Sequence, residues 1–233
     1  MTPLEKMHAS FDDAFKALFG EVVTEDIYRV RSLPVAPDTV FDIGANVGIF
    51  TLLALSLWPE CFVIAVEPDP HNCEEFCRHC QEFMDEGRAT LITRPLGIGT
   101  VYHATTARNG SGEVYMSSGL GYPAEEIETS SFWERTSLRS ISLPELKRHY
   151  SDSEFCLLKF DCEGAENCLW EDELSMKILS RMDYIAAELH YYAHSNQQLP
   201  IVRSVTDAAL KKLEETHNIE RESKGTHIWA MRK

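Results

Sequence analysis

The chain alternates short apolar runs with longer stretches in which apolar residues recur at helical spacing. The apolar runs predict buried strands near residues 39–43, 61–67, 89–94, 155–161 and 184–190. The longer stretches predict helices over residues 48–57, 70–84, 143–150, 165–181 and 200–216. Strands and helices that alternate in this way are typical of an α/β fold with a mostly parallel, doubly wound sheet.

The two ends and the middle of the chain depart from this alternation. Residues 1–37 contain apolar positions at helical spacing and predict an N-terminal helical segment, without the pattern of a signal peptide. The tail predicts an antiparallel hairpin around Lys224-Gly225, which brings the sheet to about seven strands. Residues 95–142 are irregular, and we expect this insertion either to cover the acceptor site as a lid or to be a surface excursion. All these parts fit one domain over residues 1–233.

A glycine-rich segment, residues 42–48, joins the first predicted strand to the helix that follows it. It reads Asp-Ile-Gly-Ala-Asn-Val-Gly, a turn that lets a ligand approach the backbone. Its G-x-N-x-G spacing differs from the G-x-G-x-x-G that seats a pyrophosphate in dinucleotide-binding folds. Asp42 would repel a diphosphate and attract the ammonium of an amino-acid moiety. S-adenosylmethionine has that ammonium and no phosphate, so the segment predicts S-adenosylmethionine as the cofactor.

The second predicted strand ends in an acidic residue, as expected for a nucleoside site. Glu67, followed by Pro68, would place a carboxylate where both hydroxyls of a ribose can donate to it. Glycine spacings alone are common in loops, but the strand, loop, helix, strand and acid occur here together. Asp42 and Glu67 would then bind opposite ends of one cofactor.

Four segments of the chain resemble the FkbM-type family of S-adenosylmethionine-dependent methyltransferases. They are Phe41–Gly48, Glu67–Pro70, Leu158–Glu166 and, more weakly, Glu188–His190. The resemblance implies a Rossmann-like class I methyltransferase fold with a closing antiparallel hairpin. It also implies methyl transfer from S-adenosylmethionine to a hydroxyl oxygen, with a small molecule or a glycan as the acceptor.

The glycine-rich segment, the acid and the resemblance together predict a set of cofactor-binding residues. They are Asp42, Gly44, Ala45, Asn46, Gly48, Glu67, Pro68, Leu96 and Asp161. Two positions differ from the pattern common in the family. Arg94-Pro95 ends the third strand where many methyltransferases have an acid near the adenine, and Cys162 stands where an aliphatic residue is usual. The sequence therefore does not assign the residues that contact the adenine.

Acidic and basic side chains follow the fourth and fifth predicted strands. We expect Asp161, Glu188 and His190 to converge with Glu163 at the sheet edge where ligands bind. Because side chains alternate along a strand, Glu188 and His190 should lie on one face. The first three are the predicted catalytic residues, because methyl transfer to oxygen needs a base or a cation that acts on the hydroxyl. They could hold a divalent cation, but we favour a metal-free base because imidazole is a poor ligand for magnesium.

The same strand ends also admit structural roles. Asp161 and Glu163 could merely cap the next helix. A separate alternative is a noncatalytic domain that binds S-adenosylmethionine or its product as a sensor or scaffold, but the presence of Asp161 and Glu188 argues against it. Lys159 is charged within an apolar strand, and an unpaired buried ammonium is costly, so it should pair with a nearby acid.

Three cysteines suggest a rival mechanism. Cys73, Cys77 and Cys80 have the C-x3-C-x2-C spacing by which radical S-adenosylmethionine enzymes hold an iron–sulfur cluster. They also share one apolar helical stripe with Phe76, as free thiols packed in a core would. On a straight helix the first and last are roughly 10 Å apart along the axis, too far for one compact cluster. We therefore expect a structural stripe.

Composition narrows the classes of partner. The net charge of −15 repels phosphates, which argues against nucleic-acid partners and against a nucleic-acid methyltransferase. No apolar stretch approaches the roughly 18 residues of a membrane span. Seven scattered cysteines suggest thiols in a reducing compartment, so we expect a cytoplasmic protein. The expected partner is the small-molecule or glycan acceptor, and a homodimer stays open.

Overall fold

The fold is described from a computed structural model. It describes residues 2–11, 13–97, 100–106, 133–150, 153, 155–162, 165–190, 192–193, 197–198, 200–222 and 226–233. The strands are β1 (Thr39–Ile43), β2 (Phe62–Val66), β3 (Ala89–Ile92), β4 (Thr100–Thr106), β5 (Trp133–Arg139), β6 (Cys156–Phe160), β7 (Tyr184–Glu188), β8 (Tyr192–Ala193), β9 (Gln197–Gln198), β10 (His217–Arg221) and β11 (His227–Arg232).

Seven of these strands form one sheet, in the order β10, β11, β7, β6, β1, β2 and β3. The five strands from β7 to β3 are parallel to one another. The last two along the chain, β10 and β11, run antiparallel and close one side of the sheet. This topology confirms the predicted α/β fold with its C-terminal antiparallel strands, although the predicted turn at Lys224-Gly225 lies outside the described residues.

Helices flank the sheet. They are α1 (Pro3–Ser10), α2 (Asp13–Phe19), α3 (Ile49–Leu57), α4 (Pro70–Asp85), α5 (Leu143–Tyr150), α6 (Asn167–Trp170), α7 (Glu173–Leu179) and α8 (Pro200–Leu213). A π-helical turn, Gly20–Thr24, continues α2, and a 3-10 turn spans Val30–Ser32. Among the described residues, no helix is long and apolar enough to cross a membrane.

The central strand β1 is buried along its whole length because it is covered on both faces. Phe41 and Ile43 pack into the core on one face of the sheet, with residues of α5, α7 and α8. Val40 packs into the core on the other face, with residues of α1, α3 and α4. Burial of each such side chain contributes about 1.5–3 kcal/mol, and two cores of this kind make the sheet doubly wound.

Three predicted elements differ from the structure. The predicted helix 165–181 is divided into α6 and α7, because the Asp172 carboxylate accepts from the Ser175 amide at 2.7 Å and starts a new helix. The predicted strand 184–190 ends at Glu188, so His190 lies beyond it. The ends of the insertion 95–142 form the antiparallel pair β4 and β5, which the sequence did not predict. The centre of the predicted lid, residues 107–132, lies outside the described residues.

The region before β1 is attached to the sheet by bonds to its backbone. The indole of Trp229 on β11 donates to the carbonyl of Ile27 at 2.8 Å. The hydroxyl of Tyr184 on β7 donates to the carbonyl of Tyr28 at 3.0 Å. These two bonds hold residues 27–28 against the strands whose ends form the site described next.

Candidate active site

The carboxyl ends of β7, β6, β1 and β2 lie side by side, because these four strands are parallel neighbours. In open α/β sheets, ligands bind at this edge, near the point where the order of the strands reverses. The glycine-rich loop follows β1, and the acidic segments follow β2, β6 and β7. The predicted cofactor and catalytic residues thus come from one edge of the sheet.

Gly44 brings the loop after β1 into direct contact with the end of β6. Its φ is +77°, and a Cβ at this position would lie 1.9 Å from the carbonyl oxygen of Asp161. The Asp161 amide in turn donates to the Ile43 carbonyl at 3.1 Å. Only glycine readily adopts this positive φ and has room for the close approach. Gly44 therefore allows the loop after β1 to contact the backbone after β6.

The glycine-rich loop uses all of its five backbone amides, from Gly44 to Gly48, within the protein. The acceptors are Val66 O for Gly44 (2.9 Å) and Ala45 (3.1 Å), Glu67 Oε2 for Asn46 (2.8 Å), Asn46 Oδ1 for Val47 (2.6 Å) and Ala45 O for Gly48 (2.9 Å). A loop that binds a pyrophosphate instead directs several amides at the phosphate oxygens. This hydrogen-bond pattern favours a ligand without phosphate.

Glu67 lies at the end of β2 and is only 6% exposed. Its Oε2 accepts from the Asn46 amide at 2.8 Å, while Oε1 accepts from the Asp69 amide at 2.9 Å and from Asn72 Nδ2 at 3.3 Å. Burial raises the pKa of Glu67 to about 7, although these three donors oppose the shift. Its carboxylate has lone pairs for one more donor, which is the capacity that a ribose hydroxyl requires.

Asp42 forms a buried ion pair with Lys159. Asp42 Oδ1 lies 3.2 Å from the ammonium, and Oδ2 accepts from the Thr51 hydroxyl at 2.7 Å. The ammonium also donates to the Gly44 carbonyl at 2.7 Å. Burial alone would lower the pKa of Lys159, but Asp42 and Asp161 raise it above its ordinary value. The predicted pairing of Lys159 with an acid is confirmed.

The ion pair changes the interpretation of Asp42. Its side chain is 0% exposed, and both of its oxygens face protein groups. This arrangement does not present the carboxylate to the ammonium of a cofactor, as the sequence suggested. Asp42 instead orders Lys159 and, through it, the carbonyl of Gly44. Direct contact between Asp42 and the cofactor stays a prediction.

Asp161 lies just beyond β6 with its two oxygens in different surroundings. Oδ2 accepts from the Tyr28 hydroxyl at 2.7 Å, and Oδ1 lies 3.8 Å from His190 Nε2. Burial alone would raise the pKa of Asp161, but Lys159, His190 and the Tyr28 hydroxyl together hold it below its ordinary value. Asp161 therefore carries a negative charge at neutral pH. It does not cap α6, which begins at Asn167.

A buried glutamate fixes the position of His190. Glu166 Oε1 accepts from the His190 amide at 2.7 Å and lies 3.0 Å from His190 Nδ1. The Cys162 thiol donates to Glu166 Oε2 at 3.4 Å. An ionised carboxylate can only accept, so the contact favours a proton on Nδ1. These bonds, and not strand alternation, place the ring with Nε2 towards Asp161.

Glu188, at the end of β7, completes the cluster. Its Oε2 lies 3.6 Å from His227 Nε2, and His227 Nδ1 lies 3.1 Å from Glu222 Oε2. Burial and the nearby charge of Asp161 raise the pKa of Glu188 above its ordinary value. The pKa values of Asp161 and Glu188 are therefore pushed in opposite directions, as in pairs of carboxyl groups that take different roles in acid–base chemistry.

The three predicted catalytic residues converge. Asp161, Glu188 and His190 each contribute one ligand atom to a group whose atoms all lie within 4.8 Å of one another. This set could hold a divalent cation that accepts both oxygen and imidazole ligands, or could act without metal as a base and its neighbours. Glu163, which we expected beside them, lies outside the described residues.

Three other predicted cofactor residues are placed at or near the same edge. Ala45 is 3% exposed and packs into the core beneath the loop. Pro68 is half-buried and follows Glu67. Leu96 is 2% exposed and lies in the core on the α5 side, where its backbone bridges Ile141. The buried side chains of Ala45 and Leu96 can shape a cofactor site from behind, and contact with the cofactor stays a prediction for all three.

The cysteine stripe packs against Gly48. A Cβ on Gly48 would lie 2.9 Å from Cys80 Sγ and 3.0 Å from the Phe76 ring, and the φ of Gly48 is +93°. Cys80 is 0% exposed, and the Cys73 thiol donates to the Glu67 carbonyl at 3.1 Å. Burial raises the pKa of Cys73 to about 12. These thiols pack α4 against the start of α3, as expected for a structural stripe.

Comparison with protein families identifies the chain. Residues 42–221, more than half of the sequence, match the Methyltransferase FkbM domain. The chain belongs to the FkbM methyltransferase family. The predicted family is therefore confirmed, and the family implies S-adenosylmethionine as the methyl donor. Comparison with curated protein sequences gives no significant match.

Two solved structures share the fold with this FkbM-family chain. One is the methyltransferase FkbM from Methylobacillus flagellatus KT, at 12% identity and a TM-score of 0.52, covering 98% of this chain and 58% of that one. The other is a putative rRNA-methylase from Clostridium thermocellum, at 10% identity and a TM-score of 0.53, covering 90% and 94%. At these identities the likeness shows the class I methyltransferase fold alone.

Three residues of the site were not predicted as site residues from the sequence. Tyr28 and His227 lie outside every motif, and nothing near them in the sequence marks them. Glu166 belongs to the motif segment 158–166, and its acidic side chain before the short helix α6 was the available signal. All three surround Asp161, Glu188 and His190 and set their orientation.

Proposed function

We propose that this protein is an S-adenosylmethionine-dependent O-methyltransferase that acts on a hydroxyl of a small molecule or a glycan. The observation that supports it best is the arrangement of one sheet edge. A loop with no amide left for a phosphate faces the buried acid Glu67 on one side. The charged group of Asp161, Glu188 and His190 lies on the other side.

The proposed reaction is a direct displacement at the methyl carbon of the cofactor. The acceptor oxygen forms a bond to this carbon, the carbon–sulfur bond breaks, and its electron pair goes to the sulfur. The acceptor proton passes to the cluster, where Asp161 and His190 offer basic atoms 3.8 Å apart. Glu188, with its raised pKa, would bind the acceptor as a hydrogen-bond donor or share the proton.

The cluster also favours an enzyme over a noncatalytic domain that only binds the cofactor. Asp161 is held by Tyr28, and His190 is held by the buried Glu166. Binding of S-adenosylmethionine alone needs the loop and Glu67 but not an ordered acid and imidazole beyond them. Methyl transfer to a hydroxyl requires a base whose position is fixed. Asp161 and His190 are both held in position by neighbouring side chains.

The net charge and the cysteines support a proposed acceptor class and a proposed cellular compartment. The net charge of −15 disfavours a nucleic-acid acceptor, so we propose a hydroxyl compound without a polyphosphate backbone. The seven cysteines all lie within the described residues and form no disulfide there, which suits a reducing cytoplasm.

The proposal is tested by incubation with methyl-labelled S-adenosylmethionine and a panel of hydroxyl compounds that includes glycans. Each compound is paired with its amino analogue as a matched acceptor. We expect label on a hydroxyl compound and none on its amino partner or on RNA. Transfer to the amine would contradict O-methylation, and transfer to RNA would contradict a small-molecule or glycan acceptor. Cofactor binding without transfer to any acceptor would favour the noncatalytic alternative.

A further inference from the structure

One side chain from the region before the matched family domain reaches the candidate active site. Tyr28 is 2% exposed, and its hydroxyl donates to Asp161 Oδ2 at 2.7 Å. The family match begins at residue 42, so it assigns no role to this tyrosine. The bond joins two residues 133 positions apart in the sequence.

The backbone around Tyr28 is held in place by the turns on either side of it. Asp26 and Arg29 both have a φ of 53°, in the left-handed region. The Asp26 carboxylate accepts from the amides of Val30 and Arg31, each at 3.0 Å, which offsets the cost of this conformation. The bonds from Tyr184 and Trp229 then fix the segment against β7 and β11, so Tyr28 is presented from a preorganised turn.

The ring of Tyr28 is held as firmly as its backbone. It meets the Phe50 ring edge-on, with centroids 5.2 Å apart and an interplanar angle of 82°. The Lys159 ammonium lies 5.5 Å from the ring centroid. A tyrosine has only two side-chain torsions, and with the ring fixed by these contacts its hydroxyl is directed at Asp161.

The Tyr28 hydroxyl and His190 lie at different oxygens of the Asp161 carboxylate. With Oδ2 bound to Tyr28, Oδ1 lies 3.8 Å from His190 Nε2 and belongs to the converging group with Glu188. Lys159 also attracts this carboxylate. If the hydroxyl were absent, nothing at Oδ2 among the described contacts would oppose a turn towards the ammonium.

We propose that Tyr28 is a positioning residue of the methyl-transfer site, which holds the Asp161 carboxylate towards His190 and Glu188. Its catalytic consequence rests on the proposed function. The segment before β1 is then part of the active site, and removal of residues 1–38, which leaves β1 itself intact, would take one support from the catalytic group.

The test compares Tyr28→Phe with Tyr184→Phe in the full-length protein. Both variants lose one buried tyrosine hydroxyl from the same contact region, but only the first loses the bond to Asp161. Crystal structures with S-adenosylhomocysteine give the orientation of Asp161, and calorimetry gives the affinity. Turnover is measured with the acceptor on which the wild-type protein is active.

For Tyr28→Phe we expect Asp161 to turn away from His190 and kcat to fall roughly ten- to a hundredfold, the range for a hydrogen bond to a charged group. The affinity for S-adenosylhomocysteine should stay within about threefold of wild type, because the variant leaves Glu67 and the glycine-rich loop unchanged. Tyr184→Phe removes only one of the bonds that hold residues 27–28 and keeps the bond from Tyr28 to Asp161, so Asp161 should keep its wild-type orientation. A Tyr28→Phe protein with Asp161 unmoved and kcat unchanged would overturn the inference.

Failure of this inference can be distinguished from failure of the proposed function. A wild-type protein that neither binds S-adenosylhomocysteine nor transfers methyl groups would overturn the function. Crystals of the ligand-free variants would still show whether Asp161 depends on Tyr28, and an unmoved carboxylate there would overturn the positioning role by itself.

Discussion

The ammonium of Lys159 lies 3.2 Å from Asp42 Oδ1, and both side chains are almost completely buried, at 4% and 0% exposed. The pair links the end of β6 to the end of β1, and the same ammonium binds the Gly44 carbonyl. It is therefore one of the contacts that fix the glycine-rich loop relative to Asp161.

Replacement of Lys159 by Met should destabilise the protein strongly. It leaves the buried Asp42 charge without its partner, and removal of one member of a buried pair costs about 3–5 kcal/mol. Because the pKa of Lys159 is raised, this stabilisation is fully present at neutral pH and is lost only in strong alkali. The measurement is the free energy of unfolding in urea.

Arg221→Met is the matched control. Arg221 and Asp207 are also 3.2 Å apart, but their side chains are 40% and 47% exposed, so the cost should be about 1 kcal/mol or less. Equal losses for the two variants would show that the Lys159 pair has no special structural role.

The affinity for S-adenosylmethionine should depend on pH through Glu67. Its pKa is raised to about 7, so in the free protein the carboxyl becomes protonated as the pH falls through that value. A ribose hydroxyl donates to the ionised form, so affinity should rise with pH below about 7, by up to about tenfold per unit, and level off above it. Calorimetry from pH 5.5 to 8.5 provides the profile.

Variants of Glu67 separate this effect from other titrations. Glu67→Gln should bind more weakly at pH 8 and lose most of the pH dependence, and Glu67→Ala should lose about 1.5–3 kcal/mol of binding free energy. A Glu67→Ala protein with wild-type affinity would remove Glu67 from the cofactor site.

Cys80→Ser should cost stability, while Cys77→Ser should cost little. Cys80 is 0% exposed against Gly48, and a hydroxyl buried there without a partner costs about 1–3 kcal/mol. Cys77 is only half-buried and serves as the matched control. Urea unfolding provides the comparison, and anaerobically purified protein should contain no iron. Stoichiometric iron and sulfide would instead support the radical mechanism.

A chelator should leave methyl transfer unchanged. Asp161, Glu188 and His190 could hold a cation, but imidazole is not a ligand that magnesium prefers, and we expect these side chains to act on the acceptor proton directly. The rate is measured with EDTA and then with added magnesium or manganese. Activity that is abolished by EDTA and restored by either ion would replace the metal-free account with a metal-dependent one.

Most of the fold could be predicted from the sequence, because the hydrophobic periodicity of strands and helices is visible in residues that are close together in the chain. Bounds such as Thr39–Ile43 and Pro70–Asp85 fall within one or two positions of the prediction. The split between α6 and α7 was missed because a continuous helical pattern hides the single side-chain cap at Asp172. The pairing of β4 with β5 was missed because residues 107–132 separate the two strands in the sequence, far more residues than a short hairpin turn contains.

The candidate site was predicted only in part. Asp161, Glu188 and His190 follow strand ends, and topology alone brings strand ends together. Tyr28 and Glu166 act through tertiary contacts with side chains that are distant in the sequence. The local hydrophobic periodicity does not reveal such contacts. Asp42 was assigned to a ligand because its partner Lys159 becomes adjacent only when β1 pairs with β6.

The sequence assigned Asp161 to both catalysis and cofactor binding, and we infer that its negative charge serves methyl transfer. The variant Asp161→Asn separates the two roles. The variant preserves the shape of the side chain and removes the negative charge. Methyl transfer from labelled S-adenosylmethionine to a hydroxyl acceptor should fall by roughly a hundredfold or more, while the calorimetric affinity for S-adenosylhomocysteine stays near wild type. Normal turnover by Asp161→Asn on an acceptor that the wild-type protein methylates would contradict the account.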